Sequence, residues 1–415
     1  MLGVKYTCGV SEVPEEVVMR GSLKIMRVAG IDIAIHYTWI FALIIITWSL
    51  EGYFSQSHSW SVTVSWLAGF LSAVLLFFSV LLHELAHSLV AQSRGLPVTS
   101  ITLFIFGGVS NLSEEPKSPG LEFWMAFVGP LTSVLLGLIF WGIWYLATGE
   151  PLLPLLSSSA AGKGTFVVAI LGYLSFINLA LAVFNLLPGF PLDGGRVLRS
   201  ILWKTSGSLS WATNIATLIG RLFGWAFIGL GVFLFFRFGD FLSAVWIGII
   251  GVFLMSAAEN ARQEVMVREN LSDVKVTQVM ELNTETVDQR LTVAELVRDF
   301  FLSRRRRAIP IAEGDRIIGM VSISDVRKLP QEQWETATVA RIMSREPLYT
   351  VKPEDTLDHA MKLIAQNDLN QVPVLDQGKL VGILTRANLI NFLHLKQELG
   401  MKGGRNVRGP SSSNP

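Results

Sequence analysis

Two imidazoles and a carboxylate occur within five residues, at His83, Glu84 and His87. No Lys, Arg, Asp or Glu lies between Glu51 and Glu84, and the next charge is Arg94. Residues four apart on a helix are rotated by about 40° from each other, so His83 and His87 share a face. That spacing suits two nitrogens on one metal, with Glu84 beside them as base toward an attacking water. A catalytic zinc also needs a third protein ligand and an open position. Four other histidines compete for the role. His36 reads as interfacial at the start of an apolar segment, and His58 reads as solvated in a loop. His359 and His394 fall in the polar C-terminal part. Asp193 is the carboxylate expected near membrane depth outside the His-Glu segment. His83, His87 and Asp193 are therefore the predicted ligands, with Glu84 moving a proton from water to the leaving amine. Asn185 lies eight residues before Asp193. It can donate to a tetrahedral oxyanion or serve only to pack helices together, and the sequence leaves both readings open.

The elements that must hold these groups are apolar. The 415 residues are 51% hydrophobic and 16% charged, with mean hydropathy +0.47. Soluble domains carry roughly a quarter charged residues. Residues 33–258 contain blocks long enough to span a bilayer. A first span is expected over Ile33–Leu50 and a second over Val64–Gln92, which carries the His-Glu motif. Val98–Phe106 reads as a strand, with Gly107-Gly108 as a turn, making a short membrane-associated hairpin. A third span covers Phe123–Leu146, where Gly129-Pro130 reads as a kink with close helix packing. A fourth starts near Thr165 and ends in Asn185–Arg196, where two prolines and three glycines force the backbone to unwind. Unwound backbone at membrane depth must be packed in protein or line a cavity, and an aspartate there is a functional candidate. Spans five and six are expected over Ile219–Phe236 and Phe241–Ala257.

Lys/Arg asymmetry sets orientation. Lys5, Arg20, Lys24, Arg27, Arg94, Lys117, Arg196, Arg199, Lys204 and Arg221 fall on one side, and Lys163 and Arg237 on the other. Both termini are therefore predicted cytoplasmic, in a multi-pass protein of the cell membrane. Net charge is +1, so no overall field argues for nucleic acid. The single cysteine, Cys8, excludes an internal disulfide framework. No cleavable signal peptide is expected. Residues 1–32 read as an N-terminal cytoplasmic segment and 259–272 as a linker.

A repeat follows. Val279-Met280 matches Ile342-Met343, Ala308–Ile311 matches Gln371–Val374, and Gly319–Ser322 matches Gly382–Thr385, all offset by 63. Two copies are predicted, over 273–332 and 336–397. Each reads strand, amphipathic helix, strand, Gly turn, strand, helix. Residues 398–415 read as a disordered tail.

His83-Glu84-x-x-His87, joined to Asn185-x-x-Pro188-x-x-Pro191-x-Asp193-Gly194, resembles the site-2 protease family of intramembrane zinc metalloproteases. The resemblance covers residues 25–260. It implies zinc, the ligand roles argued above, and cleavage of single-span membrane proteins in regulated intramembrane proteolysis. The Gly107-Gly108 stretch is placed like the family's membrane-reentrant strand, which implies substrate pairing by edge addition; an ordinary hairpin is the plainer alternative. The repeat resembles a pair of CBS domains, α+β modules. That resemblance implies an adenine nucleotide, ATP or AMP, near Ser322, Asp325 and Thr385, and a homodimer through the CBS domains. Asn388 stands where the pattern has Asp, which weakens the second half. Arg304–Arg307 could meet phosphates but reads more simply as a solvated helix end. The expected protein is thus a six-span α-helical membrane peptidase with a regulatory α+β tail. The rival readings are a CBS-regulated transporter or channel and a zinc-stapled scaffold, which would have no use for Glu84.

Overall fold

The computed structural model describes residues 21–112, 116–149, 165–239, 241–282, 284–304, 306–314, 316–345 and 348–399. The expectations for residues 1–20, for Lys163, for Arg305 and for the tail from residue 400 lie outside the described residues. The chain divides into two compact units, Met1–Arg262 and Gln263–Pro415.

The first unit begins with a sheet. β1 (Ser22–Val28) turns through Ala29-Gly30, both at positive φ, into β2 (Ile31–His36). This departs from the expected first span. Ile31, Ile33 and His36 are buried along β2, while Asp32 pairs with Lys24 of β1 at 2.6 Å. The apolar run therefore serves a strand first, and the helix α1 starts only at Thr38 and runs to Ser57. α2 (Val62–Ser93) follows, then β3 (Val98–Phe104) and β4 (Gly107–Leu112). The sheet order is β1-β2-β3-β4, with β2 and β3 parallel. A parallel pair needs a long crossover, which α1 and α2 supply. The hairpin turn sits at Ile105-Phe106, so Gly107-Gly108 opens β4 instead of forming the turn.

α3 (Pro119–Thr148), α4 (Phe166–Asn185), α5 (Asp193–Ser206), α6 (Leu209–Phe238) and α7 (Phe241–Ser272) complete the order. Among the described residues six helices are long and apolar enough to cross a membrane: α1, α2, α3, α4, α6 and the Ser243–Ser272 part of α7. α5 is shorter and charged. Small residues allow close approach: a Cβ on Gly69 of α2 would lie 2.7 Å from the Thr47 carbonyl of α1. Between α2 and α4, buried Asn178 donates to Ser79 Oγ at 3.2 Å and to the Leu174 carbonyl at 2.8 Å. His58 is not solvated. It caps α1 and stacks on Trp60 with centroids 4.3 Å apart, because α1 continues well past Glu51 and delivers it to an aromatic cluster with Phe54. His36 ends β2, its Nδ1 2.8 Å from Thr38 Oγ1.

The second unit shows the 63-residue repeat as pseudo-symmetry. α8 (Val293–Glu295, continued by a π-helical stretch over Leu296–Leu302) precedes β5 (Ala308–Glu313), β6 (Arg316–Ser322) and α9 (Ile323–Arg327). After β7 (Ser344–Arg345), α10 (Leu357–Gln366), β8 (Gln371–Asp376), β9 (Lys379–Thr385) and α11 (Arg386–Glu398) repeat the pattern. The expected first strand of each copy is reduced to a single bridge, Val287 with Ile311 and Val351 with Val374. Each half has its own apolar core, around Leu296 and Ile311 in one and Leu357 and Leu384 in the other. The halves exchange edges: Ser344 pairs with Met320, and Glu281 with Ile383, 63 residues on in each case.

The halves differ in charge where they meet. The Glu281 carboxylate accepts from Arg306 at 2.6 Å and from Asn388 Nδ2 at 3.2 Å. Its counterpart by the repeat is Ser344, and that of Arg306 is Leu369. Arg304 pairs with Glu285, so two of the basic residues read as a solvated helix end have carboxylate partners. The Arg306 guanidinium holds the Glu281 carboxyl below its ordinary value near 4.5, with burial opposing it. A depressed folded-state value stabilises the fold above the unfolded value, and that contribution is lost as pH falls through the folded one. The Ile383 amide, which donates to the Glu281 carbonyl at 3.0 Å, reports on this. In Glu281→Gln its hydrogen-exchange protection factor falls at pH 7, and the gap to wild type closes as pH drops below about 4.5.

Candidate active site

The site forms where α2, α3 and the start of α5 meet. α2 presents His83 and His87 on one face, four residues apart, both buried. Their Nε2 atoms lie 3.0 and 3.1 Å from Asp193 Oδ2. All three candidate ligand atoms lie within 4.8 Å of one another, and this is the group of three or more potential ligands found among the described residues. Two atoms each about 2.0–2.1 Å from a tetrahedral zinc stand about 3.3 Å apart, close to both measured separations.

α3 fixes the two rings from behind. His83 Nδ1 lies 2.9 Å from Ser133 Oγ. His87 Nδ1 meets the Met125 carbonyl, which can only accept, so that nitrogen carries the proton. The Nε2 lone pair of His87 is then free and aimed at the carboxylate. Such a cluster of electron-rich atoms suits a cation, and orientation of the far ring nitrogen is how metal-binding imidazoles are held. Gly129 lies between Met125 and Ser133, and a Cβ there would overlap the His87 ring and come within 2.7 Å of His83 Nε2. The Gly129-Pro130 pair thus does more than kink a helix: its missing side chain is the space the rings occupy.

Asp193 arrives by a broken helix. α4 stops at Asn185, the chain runs irregularly through Leu186–Leu192, and α5 begins at Asp193. The unwinding is narrower than expected. Gly194 and Gly195 are helical, and they are glycine because α5 starts against the preceding loop. A Cβ on Gly194 would overlap the Leu186 carbonyl, and one on Gly195 would overlap the backbone at Gly189 and Phe190.

Glu84 faces the hairpin. Its Oε2 accepts from Ser110 Oγ of β4 at 2.9 Å, and Ser110 in turn accepts from Ser88 Oγ at 3.1 Å. A Cβ on Gly108 would overlap the Glu84 side chain. These groups line a cavity of about 280 Å³ with His87, Asp193, Met125, Pro191 and Arg196. Asn185 is not among its lining residues. Its Nδ2 donates at 3.0 Å to the Leu181 carbonyl one turn back in α4.

Ser322 and Asp325 form a capping box at the start of α9: Asp325 Oδ2 accepts from Ser322 Oγ at 2.7 Å, and Ser322 Oγ accepts from the Asp325 amide. Thr385 and Asn388 do the same at α11. The residues nominated for a nucleotide thus have a structural role already on view.

Sequence reasoning missed Ser133, Ser110, the Met125 carbonyl and the ion pair of Glu122 with Arg199. A serine in an apolar helix reads as ordinary packing, and Glu122 in a first helical turn reads as a favourable dipole partner. It is instead a carboxylate buried within the apolar unit, outside the His-Glu-Asp cluster.

Comparison with known proteins agrees with this geometry. Residues 71–227 match peptidase family M50, and residues 276–332 and 339–395 each match the CBS domain. The Synechocystis sp. protein sll0528 is 32% identical over 382 residues, covering 90% of this chain and 96% of its own. A zinc metalloprotease of Methanocaldococcus jannaschii is 30% identical over 386 residues, covering 92% of this chain and 99% of its own. The chain belongs to peptidase family M50. It is a zinc metalloprotease of the site-2 protease type with tandem CBS domains, and the transporter or channel reading is not favoured. Among solved structures, the site-2 protease from M. jannaschii covers 58% of this chain and 95% of its own, at 30% identity and a TM-score of 0.40.

The packing at Gly129 yields a sharp expectation. In Gly129→Ala the added methyl displaces both rings, so purified protein holds less than a tenth of the wild-type zinc by elemental analysis. Its circular dichroism keeps the helical signal, because one methyl on α3 leaves the other helix contacts in place.

Proposed function

We propose that this enzyme hydrolyses peptide bonds in or beside the membrane-spanning helix of single-span regulatory proteins. His83, His87 and Asp193 would hold one zinc ion. The observation that carries the reading is the convergence of both Nε2 atoms on one Asp193 oxygen, from helices over a hundred residues apart in sequence. Zinc, when held there, supplies Lewis acidity toward the scissile carbonyl and the attacking water. Glu84 takes a proton from that water at Oε2 or Oε1 and returns it to the leaving amine. Ser110 orients the carboxylate, and the surrounding apolar helices limit water to the few molecules the cavity holds. Asn185 would serve as oxyanion donor after its amide leaves the Leu181 carbonyl.

Among the described residues β4 is an edge strand whose outer side has no strand partner. An unwound substrate segment pairing there by edge addition would run past Glu84. Charge asymmetry supports a multi-pass cell-membrane protein with both termini cytoplasmic. The CBS pair would take an adenine nucleotide at the Ser322–Asp325 end, with Thr385 from the other copy, and could join two chains.

Two variants separate the roles. Glu84→Gln keeps zinc at the wild-type level but slows cleavage of a single-span reporter in detergent by about 10²–10⁴-fold, the usual contribution of a positioned acid–base group. His83→Ala loses both zinc and cleavage. Zinc retained in His83→Ala would sink the ligand assignment. For the tail, titration calorimetry with AMP and ATP should show binding that Asp325→Ala weakens at least tenfold. Equal affinity in the variant would remove Asp325 from the nucleotide's contacts.

A further inference from the structure

Among the described residues of the peptidase unit, Arg199 and Glu122 form an ion pair between two buried side chains outside the metal cluster. Glu122 is 1% exposed in the first turn of α3, and Arg199 is 7% exposed in α5. Arg199 directs both Nε and Nη2 at Glu122 Oε1. Its guanidinium also lies over the Phe190 ring, 4.8 Å from the centroid. Phe190 is in the irregular segment just before Asp193. It is buried with Ala216 and Ala258, and its amide donates to the Ala216 carbonyl at 3.1 Å.

The position of this pair connects two things the zinc site needs. Glu122 precedes Met125 by three residues, Gly129 by seven and Ser133 by eleven. That spacing puts all four on one stripe of α3. The stripe therefore holds α5 at one end and the two imidazoles farther along. Arg199 follows Asp193 by six residues and touches Phe190, three residues before it, so one side chain grips the Asp193 segment on both flanks. α5 carries apolar Val197, Leu198, Ile201 and Leu202 at helical spacing, and contacts of that kind leave some freedom of rotation and sliding. A rigid guanidinium fork fixes geometry where a flexible apolar contact would leave it loose.

We infer that Glu122–Arg199 is a positioning pair: it locks α5 to α3 so that Asp193 meets His83 and His87 at coordinating distance. The inference rests on the proposed ligand set. It assigns the pair no contact with substrate or zinc. Removing one partner strands a buried charge, whereas replacing both by apolar side chains of similar volume is often tolerated. The informative variant is therefore the double replacement E122L/R199M, beside the single Arg199→Gln and Glu122→Gln.

The test uses the full chain purified in detergent and measures zinc affinity by competition with a chromophoric chelator, together with the melting temperature with and without zinc. The double variant is expected to keep its zinc-free melting temperature and helical signal, bind zinc at least tenfold more weakly, and gain less melting temperature on zinc addition. The single variants are expected to show the same loss of affinity with a lower zinc-free melting temperature. His83→Ala is the control for the ligand set. If it binds zinc as wild type does, the ligand assignment fails. If it loses zinc while E122L/R199M binds within twofold of wild type, the positioning role fails and the assignment stands. If no variant at the pair folds, the pair is a general folding element and the proposal is likewise overturned.

Discussion

Between α2 and α3 the helix surfaces meet where only a hydrogen atom fits. Gly129 leaves room for the His83 and His87 rings against α3, and α3 then supplies a hydroxyl one turn to one side and a backbone carbonyl one turn to the other. The three contacts are mutually dependent. A ring that donates to a fixed carbonyl has one free lone pair and one direction to point it. In surroundings with little water, a misdirected nitrogen would be a buried polar atom without a partner, which is costly. Close packing and polar satisfaction therefore select the same arrangement.

The same logic governs the arrival of Asp193. Glu84 rides on the continuous helix α2, but Asp193 does not arrive that way. The chain instead breaks α4, packs the loop against α6 through Phe190, and restarts as α5 with Asp193 in the first turn. A first-turn acid faces the positive end of the helix dipole, and Gly194 and Gly195 let that turn sit directly on the loop. Glu84 is treated differently. Its partner is not a helix but the edge strand β4, so the residue proposed as proton carrier touches the element where an extended substrate could pair.

In the CBS unit, duplication supplies the framework and divergence supplies the difference. The two copies share capping boxes, glycine turns and exchanged edges, because each half must bury an apolar face that it cannot bury alone. At the junction the symmetry lapses: Glu281, Arg306 and Asn388 form a hydrogen-bonded set, and the equivalent positions Ser344, Leu369 and Asp325 include no such pair of opposite charges. The two ends of the module are therefore chemically unlike.

The sequence by itself determined the periodic and compositional features. A helix obliges residues four apart to share a face, so His83 and His87 were legible as a pair. Two prolines after an apolar run had to end α4, and a 63-residue repeat had to fold twice. What it could not determine were contacts between segments distant in the chain. Ile31–His36 alternates as a strand does, yet it runs straight into α1, and only pairing with β1 and β3 decides where strand gives way to helix. Gly107 looked like a turn and is a strand residue, because the two-residue turn was set by the register of β3 on β4. Gly129, Ser110, Ser133 and Glu122 carry no local signal of their roles, since a missing methyl, a hydroxyl or a lone acid acquires meaning only from what is packed against it. Local rules act along one chain direction. The placing of Asp193 against two imidazoles, and of Arg199 against Glu122, required the whole bundle to close.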